Sequence, residues 1–138
     1  MKIGVIAGNF DVIHPGYIHM FNECKTNCDR LFILLHDDPT IERPEKMKPI
    51  LSISERRSII NAVVGDCVIL SYNTEKELLF LLESIHPDVR FLGNDYIEKD
   101  FTGQELYIPI HYITRDHGWS TTKFKKAIAN EVQRSSNV

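Results

Sequence analysis

The sequence lacks the features that mark membrane and secreted proteins. Its 138 residues contain no run of about 18 apolar residues, the length needed to cross a bilayer. The amino terminus has neither the long apolar core nor the small-residue cleavage site of a signal peptide. There are only three cysteines, and an odd number in a chain without a signal peptide favours free thiols over disulfides. We therefore expect a cytoplasmic protein that does not associate with membranes.

Positive charge is also scarce. The formal net charge is −3 and the isoelectric point is near 6.0, whereas proteins whose main partner is nucleic acid carry a basic excess. No internal repeat, low-complexity segment or linker divides the chain, and its length is typical of one domain. The sequence predicts one domain over residues 1–133, a frayed tail at 134–138, and no nucleic acid as a partner.

What the sequence does contain is a regular alternation of apolar runs with helical patterns. The apolar runs predict strands at 2–8, 30–36, 66–72, 88–95 and 106–114. The helical patterns predict helices at 16–27, 52–65, 73–86 and 120–133. The last strand begins either at its first residue or after Pro109, and Ser54 and Gly65 are candidate caps of the second helix. This order predicts an α/β fold, with a parallel sheet of about five strands flanked by helices.

Four loops of this predicted fold meet at one edge of the sheet. They are 8–16, 37–49, 93–96 and 114–120, and they follow the carboxyl ends of the strands, where parallel sheets bind ligands. The notable polar residues of the chain concentrate in them. The loop at 37–49 is long and proline-rich, which is typical of a functional loop.

The first of these loops, "GNFDVIHPGY", has the composition of an anion site. Gly8 allows a tight turn and a close ligand approach, and a helix begins at Pro15 and Gly16 with its free N–H groups facing the edge. His14 precedes that helix and can donate to the same anion. Asp11 can orient either a backbone loop or a metal ion. The simpler alternative is that His14 and Asp11 only cap the turn.

The last loop, "RDHGWSTTK", repeats this design. Arg115 and Gly118 are followed by Ser120, Thr121 and Thr122 at a helix start, where hydroxyl and N–H groups can bind phosphate oxygens. These hydroxyl residues could equally be ordinary capping residues, with Ser120 or a neighbouring threonine as the N-cap. Two such sites in one small domain fit a nucleoside triphosphate held from two sides. The spacings of the dinucleotide-binding fingerprint and of the Walker loop are both absent.

Taken together, the two loops resemble the paired signatures of the cytidylyltransferase-like nucleotidyltransferases, G-x-F-D-x-x-H-x-G-H and R-x-x-G-x-S-T-[ST]. "SERRSII" is similar to a family helix that carries an inward arginine, and "GND" to the family's Gly-Asp-Asp turn. The similarity covers residues 1 to about 128. Within the family, the sequence most resembles the glycerol-3-phosphate cytidylyltransferases.

This resemblance implies the Rossmann-like fold of the HIGH-type nucleotidyltransferases and transfer of CMP from CTP to a small phosphorylated acceptor. The acceptor would be a glycerol-3-phosphate-like polyol or a sugar phosphate, and pyrophosphate would be released. An ATP-dependent adenylyltransferase of the heptose-phosphate type is the alternative. Mg²⁺ would accompany the triphosphate, and family members are commonly homodimers.

The resemblance also implies roles for individual residues at the matching motif positions. The implied catalytic residues are His14, Lys46, Arg115 and Tyr17. The implied nucleotide-binding residues are Asn9, Phe10, Asp11, Gly16, Lys48, Asp95, Gly118, Ser120, Thr121 and Thr122. No residue is implied as a resident metal ligand.

The sequence departs from the family pattern at two positions. Tyr17 stands where the signature has its second histidine, and a phenol can donate a hydrogen bond but carries no positive charge. The enzyme could therefore be slower, could use His117 or His19 as a replacement donor, or could bind nucleotide without reacting. His117 is the better candidate because it lies in the second phosphate loop. Leu78 stands near a family lysine that binds the acceptor, with Lys76 two residues before it. Either the loop shifts to bring Lys76 in, or the acceptor differs.

Overall fold

The computed structural model describes residues 1–137. Its strands are β1 (Ile3–Gly8), β2 (Arg30–His36), β3 (Val68–Tyr72), β4 (Val89–Gly93) and β5 (Ile110–Ile113). Its α-helices are α1 (Pro15–Thr26), α2 (Ile53–Val64), α3 (Glu75–Ile85) and α4 (Thr121–Ser136). Two short 3-10 helices, Asn94–Tyr96 and Gln104–Leu106, lie in the connection from β4 to β5.

All five strands are parallel and pair in the order β3-β2-β1-β4-β5. The register pairs Gly8 with Leu35 and Gly93 with Ile113, so the carboxyl ends of these strands meet at one edge. The predicted fold class, a parallel Rossmann-like sheet flanked by helices, is confirmed. Because β1 is central, the loop that follows it lies in the middle of the ligand-binding edge.

The two faces of the sheet bury different sets of apolar side chains. One face packs Phe21 of α1 and Ile60 of α2 against Ile6 and Phe91 of the sheet. The other face packs α3, chiefly through Leu78 and Leu82, against Val5, Leu34 and Tyr72. This division follows from right-handed crossovers, because the chain moves outward from β1 to β3 and then returns to β4. The helices α1 and α2 therefore lie on one face and α3 on the other.

Several predicted boundaries are wrong by a few residues. The N-cap of α2 is Ser52, and not Ser54, because Ser52 forms a capping box in which its hydroxyl accepts from Glu55 N and Glu55 accepts from Ser52 N. Strand β4 ends at Gly93, where the chain turns into a 3-10 helix. Strand β5 begins only after Pro109, the second of the two predicted possibilities, since proline has no N–H to donate to the sheet.

The last helix is longer than the sequence indicated. Of the tail predicted to fray at 134–138, residues 134–136 form the end of α4, while 138 lies outside the described residues. An ion pair from Arg134 to Glu131 and hydrogen bonds from the Ser135 and Ser136 hydroxyls to Val132 O hold this last turn. Over residues 1–137, no helix combines the length and apolar character that a membrane span requires.

The predicted inward arginine of α2 is Arg56, which is only 1% exposed. Its guanidinium donates to four backbone carbonyls, those of Asn9, His36, Asp37 and Leu51. These carbonyls belong to the segments that leave β1 and β2 and to the start of α2. Arg56 therefore fixes three chain segments at the edge of the sheet where ligands are expected.

Candidate active site

A cleft of about 1120 Å³ opens at the carboxyl edge of the sheet, between the ends of β1 and β4. Most of the predicted site residues line it, and they come from distant parts of the sequence. The predicted residues in the cleft wall are Asn9, Phe10, His14, Gly16, Tyr17, Lys46, Asp95, Arg115 and Thr121. The predicted residues that do not line it are Asp11, Lys48, Gly118, Ser120 and Thr122.

His14 is the N-cap of α1 and is 6% exposed. Its Nδ1 accepts a hydrogen bond from Gly16 N at 3.1 Å, which leaves the proton of the neutral ring on Nε2. Nε2 lies 3.2 Å from the Thr121 hydroxyl. The first turn of α1 therefore selects the histidine tautomer that has a donor on the cleft side.

The Thr121 hydroxyl joins the two predicted motifs. Besides His14 it contacts the Tyr17 hydroxyl, with an O–O distance of 2.6 Å. Thr121 is the first residue of α4, so the amino ends of α1 and α4 meet at one hydroxyl group. We call His14, Tyr17 and Thr121 the hydroxyl cluster. Two helix amino termini with their free N–H groups at one point are suited to a phosphate chain.

Aromatic rings hold His14 from both sides. The Tyr17 ring stacks on it with centroids 4.4 Å apart, and the Trp119 ring lies nearly parallel to it at 5.6 Å. Burial lowers the pKa of His14, and the nearby His117 and Arg115 lower it further. Burial raises the pKa of Tyr17. Both groups are therefore neutral hydrogen-bond donors near pH 7, and Trp119 contributes to the site by packing on the histidine.

The glycine at position 16 is required by this packing. A Cβ there would lie 2.8 Å from both His14 Cε1 and Trp119 Cβ, and 3.0 Å from His117 Cε1. Distances below 3.0 Å are not tolerated without movement. Gly16 therefore allows two rings of the second motif to close over the first helix turn.

Phe10 has a strained backbone. Its φ is 46°, a left-handed conformation that bulky residues rarely adopt, and its side chain is 4% exposed. The Phe10 ring folds back onto Gly8, and a Cβ added to Gly8 would lie only 3.1 Å from Cζ of that ring. This turn exposes Asn9 at the cleft, and strain of this kind is common at ligand-binding sites.

Asp11 has a structural role. It is 3% exposed, and its carboxylate accepts from Ile50 N at 2.7 Å and Leu51 N at 2.9 Å. It also forms an ion pair with Lys125 of α4 at 2.7 Å. Of the two roles that the sequence left open, the structure shows the orientation of a loop. Among residues 1–137, no group of three His, Cys, Asp or Glu side chains could hold a metal ion.

The rim of the cleft carries exposed charges. Arg115 pairs with Asp95 at 3.4 Å, so the second motif and the Gly-Asn-Asp turn meet there. Lys46 lines the cleft, whereas Lys48 points away and lies 4.0 Å from Asp38. Ser120 is the N-cap of α4 and accepts from Lys123 N, which is the ordinary capping role that the sequence left open.

His117 and His19 were the two candidate replacements for the missing histidine. His117 lines the cleft, and its Nδ1 accepts from Trp119 N at 3.0 Å. His19 is exposed and stacks on the outer side of the His117 ring at 5.5 Å. Of these two histidines, only His117 has access to a ligand in the cleft.

Apart from Leu78, the side of the cleft next to α3 was missed by the sequence reasoning. Its wall contains Tyr72, Glu75, Leu78, Arg90 and Thr102, and none of these belongs to a predicted motif. Leu78 is 3% exposed and offers no charge. Lys76 is exposed on α3 and does not line the cleft, so the structure does not bring it to the acceptor side. The signal that could have indicated this side is Arg90 itself, a lone charge inside an apolar strand.

Comparison with known proteins agrees with this geometry. The family model described as cytidylyltransferase-like matches residues 5–136, nearly the whole chain. The chain belongs to the cytidylyltransferase-like family. This family match confirms the enzyme class that the two motifs predicted, a nucleotidyltransferase.

The curated relatives of the chain include bifunctional HldE proteins. The HldE of Granulibacter bethesdensis is 30% identical over 108 residues, covering 77% of this chain and 22% of that protein. The HldE of Nitrobacter hamburgensis is 29% identical over 131 residues, covering 91% of this chain and 27% of that protein. This member of the cytidylyltransferase-like family therefore spans about a quarter of the length of these relatives.

Solved structures of similar fold include a lipopolysaccharide core biosynthesis protein from Thermoplasma volcanium, with a TM-score of 0.66 and 27% identity. It aligns with 83% of this chain and 98% of its own. The pantothenate synthetase of Thermus thermophilus has a TM-score of 0.55 and 11% identity, over 92% of this chain and 65% of its own, so it shows the fold alone.

Proposed function

We propose that this nucleotidyltransferase transfers CMP from CTP to the phosphate of a small polyol or sugar phosphate and releases pyrophosphate. The observation that carries the proposal is the hydroxyl cluster, in which His14 and Tyr17 of the first motif share Thr121 of the second. The cluster lies at the amino termini of α1 and α4, where phosphate oxygens are bound well. Asn9, Phe10, Gly16 and Asp95 would contact the nucleotide from the surrounding wall.

The chemistry requires little from a general base. An acceptor phosphate oxygen is already a nucleophile near pH 7, so it attacks the α-phosphorus while the bond from that phosphorus to the pyrophosphate oxygen breaks. Negative charge grows on the leaving group and on the oxygens of the α-phosphorus. His14 Nε2–H and the Tyr17 hydroxyl, which both contact the Thr121 hydroxyl, would share their hydrogen bonds between Thr121 and those oxygens. Lys46 and Arg115 would supply positive charge at the rim. Positioning and electrostatic stabilisation then provide most of the rate enhancement.

Magnesium is proposed to enter with the triphosphate. Mg²⁺ in such enzymes is held largely by phosphate oxygens, with one or two carboxylates. Asp95 at the cleft rim could supply one, whereas both oxygens of Asp11 already accept hydrogen bonds. The ion would neutralise charge on the phosphates.

Two other functions are distinguishable from this one. ATP-dependent transfer to a sugar phosphate, of the heptose-phosphate type, fits the similarity to the HldE proteins and to a lipopolysaccharide core biosynthesis protein. A site that only binds nucleotide was suggested by Tyr17. The hydrogen bond between the Tyr17 and Thr121 hydroxyls argues against such a degenerate site, because it places the phenol in the same cluster as His14.

Pyrophosphate release tests these proposals. The wild-type protein is incubated with Mg²⁺, either CTP or ATP, and a panel of phosphorylated polyols and sugars that includes glycerol 3-phosphate. A signal with CTP and one acceptor supports the proposal, whereas a signal with ATP alone supports the adenylyltransferase. Tight binding of nucleotide in a thermal-shift series without turnover on any acceptor would favour the binding protein. Homodimer formation and a cytoplasmic location stay predictions.

A further inference from the structure

Arg90 is a buried arginine in the floor of the cleft. Its register partner in β1 is Val5, whose side chain packs on the α3 face, so the Arg90 side chain leaves the sheet on that face too. The residue is 4% exposed and lines the cleft. The hydroxyl cluster lies with α1 and α4 on the other side. Arg90 therefore marks the α3 side of the cleft, away from the two phosphate-binding helix starts.

The positive charge of Arg90 has no carboxylate partner among residues 1–137. Its guanidinium donates through Nη1 to Thr102 O and lies over the Phe101 ring, 5.3 Å from the centroid. Glu75, an acid on the same side whose charge favours the protonated guanidinium, is itself engaged by Arg43 at 3.1 Å and by the Thr102 hydroxyl at 2.8 Å. A guanidinium has five donors, and burying one without an anion is costly. A buried cation that lines a cleft and forms no ion pair within residues 1–137 is suited to an anionic ligand.

The neighbouring groups indicate the rest of that ligand. Tyr72, Glu75, Asp100 and Thr102 line the same side of the cleft, and hydroxyl and carboxylate groups of this kind suit the hydroxyls of a polyol. Leu78 offers no charge on this side, and Arg43, which also lines it, already pairs with Glu75. Arg90 is therefore the arginine of this side that forms no ion pair within the described residues.

We propose that Arg90 binds a phosphate group of a polyhydroxylated acceptor on the α3 side of the cleft. The identification of this ligand as an acceptor rests on the proposed nucleotidyl transfer. Because the nucleotide is held on the opposite side of the cleft, Arg90 would contact the acceptor and contribute to its selection. The fork of the guanidinium suits two phosphate oxygens at once.

The test measures phosphate binding directly, so it does not depend on turnover. Inorganic phosphate is titrated calorimetrically into the protein after its nucleotide side has been filled with Mg²⁺ and whichever of CTP and ATP binds in the thermal-shift series. If neither CTP nor ATP binds, the titration uses the protein alone. Arg90→Gln keeps an N–H for Thr102 O but removes the charge, and Arg90→Lys keeps the charge. Arg57→Gln is the control, because Arg57 donates to Ile69 O and does not line the cleft.

We expect Arg90→Gln to weaken phosphate binding by about 10-fold or more, Arg90→Lys to weaken it less, and Arg57→Gln to leave it unchanged. Equal binding by wild type and Arg90→Gln, or no phosphate binding by wild type, would overturn the assignment. If the variants do not fold, the Arg90 Nε–H resonance of the wild-type protein is followed instead during the phosphate titration. A shift of that resonance supports the proposal, and its absence overturns it.

Turnover gives a second and separate readout. Once an acceptor is known, Arg90→Gln should raise KM for the acceptor about 10-fold or more and leave KM for the nucleotide unchanged. A structural role alone would move both constants or lower stability only. Phosphate binding at Arg90 without any nucleotidyl transfer would mean that the proposed function failed while the anion site is real.

Discussion

The two sides of the cleft are built in different ways. On the α1 side, His14, Tyr17 and Thr121 are neutral groups that already satisfy one another through hydrogen bonds at helix starts. On the α3 side, Arg90 comes from the interior of a strand, and its surroundings combine charged groups such as Glu75 and Arg43 with neutral ones such as Phe101. The first side is held together by its own hydrogen bonds, whereas the second contains a cation that forms no ion pair within residues 1–137.

This difference indicates a division of labour. A network of neutral donors fixed by helix termini is suited to charge that develops during a reaction, because little reorganisation is needed. A strand residue such as Arg90 can change without disturbing the motifs, and is suited to selecting one acceptor among many. If this division is correct, substitutions on the α1 side should lower turnover or folding stability.

The largest effect is expected from His14→Asn. This variant removes the Nε2–H donor, and we expect kcat to fall about 10²- to 10³-fold, since a single donor to a developing negative charge contributes that much. The measurement is steady-state pyrophosphate release. His86→Asn is the matched control, because His86 is exposed at the end of α3 in a left-handed conformation that asparagine tolerates. A similar loss in both variants would contradict the assignment of the chemistry to the α1 side.

The next effect is on stability and concerns the support of that side. Asp11→Asn removes the charge that pairs with Lys125 and weakens two backbone hydrogen bonds, and we expect a loss of about 3 kcal/mol in the free energy of unfolding. Although burial raises the pKa of Asp11, hydrogen bonds from Lys125, Ile50 and Leu51 outweigh it and lower the pKa below 3.8.

The pH dependence of that loss has a definite sign. The Asp11 charge contributes its full stabilisation to the free energy of unfolding above about pH 3.8, the ordinary pKa of the group. This stabilisation is lost as the pH falls through the lowered pKa of Asp11 in the folded protein. Denaturant unfolding of wild type and Asp11→Asn at several pH values measures it. A difference between the two proteins that stays constant down to the lowest pH would show that the carboxylate charge is not responsible.

Gly16→Ala tests whether the two motifs must touch. The added Cβ would push against His14 and Trp119, and we expect a loss of about 1–3 kcal/mol in stability together with weaker nucleotide binding. Gly118→Ala is the comparison variant, because Gly118 has a φ of 79° but no atom within 4 Å of the added Cβ. We expect Gly118→Ala to cost about 1 kcal/mol through backbone strain. Equal effects of both substitutions on nucleotide binding would mean that the ring packing is unimportant.

The sequence predicted the α1 side well for a physical reason. The hydroxyl cluster depends on local features, namely a histidine before a helix and a threonine at a helix start, and helix starts leave visible residue patterns. The parallel fold was predictable because its strands and helices alternate regularly. The role of Asp11 was left open because its partners, Ile50, Leu51 and Lys125, are at least 39 residues away along the chain.

The α3 side was not predictable from the same kind of pattern. Arg90 lies in the cleft because of which face of β4 it occupies, and that depends on the register with β1. Its lack of a carboxylate depends on the pairing of Glu75 with Arg43, which joins α3 to the 37–49 loop. The candidate N-cap Ser54 lies two residues inside the helix start, because the capping box pairs Ser52 with Glu55.

A smaller effect is expected at Tyr17. The Tyr17 hydroxyl forms a hydrogen bond with the Thr121 hydroxyl, with an O–O distance of 2.6 Å. A histidine side chain at this position is too short to form the same contact. We therefore expect both Tyr17→Phe and Tyr17→His to lower turnover about tenfold, the usual cost of one neutral hydrogen bond. Single-turnover rates on the same acceptor measure it. A higher rate in Tyr17→His would show instead that the tyrosine is a poor substitute for a second histidine.

The smallest effect is a shift in the titration of His14. Burial lowers the pKa of His14 below 6.5, as do the charges of His117 and Arg115. Between that lowered pKa and 6.5 the unfolded chain binds a proton that the folded protein does not, so stability falls as the pH is lowered through this window. The midpoint of the His14 Cε1–H resonance measures the pKa, and we expect a bound triphosphate to move the midpoint upward because a nearby anion favours the imidazolium. A midpoint at or above 6.5 in the free protein would mean that burial and the neighbouring cations do not disfavour the His14 imidazolium, contrary to the neutral character assigned to the α1 side.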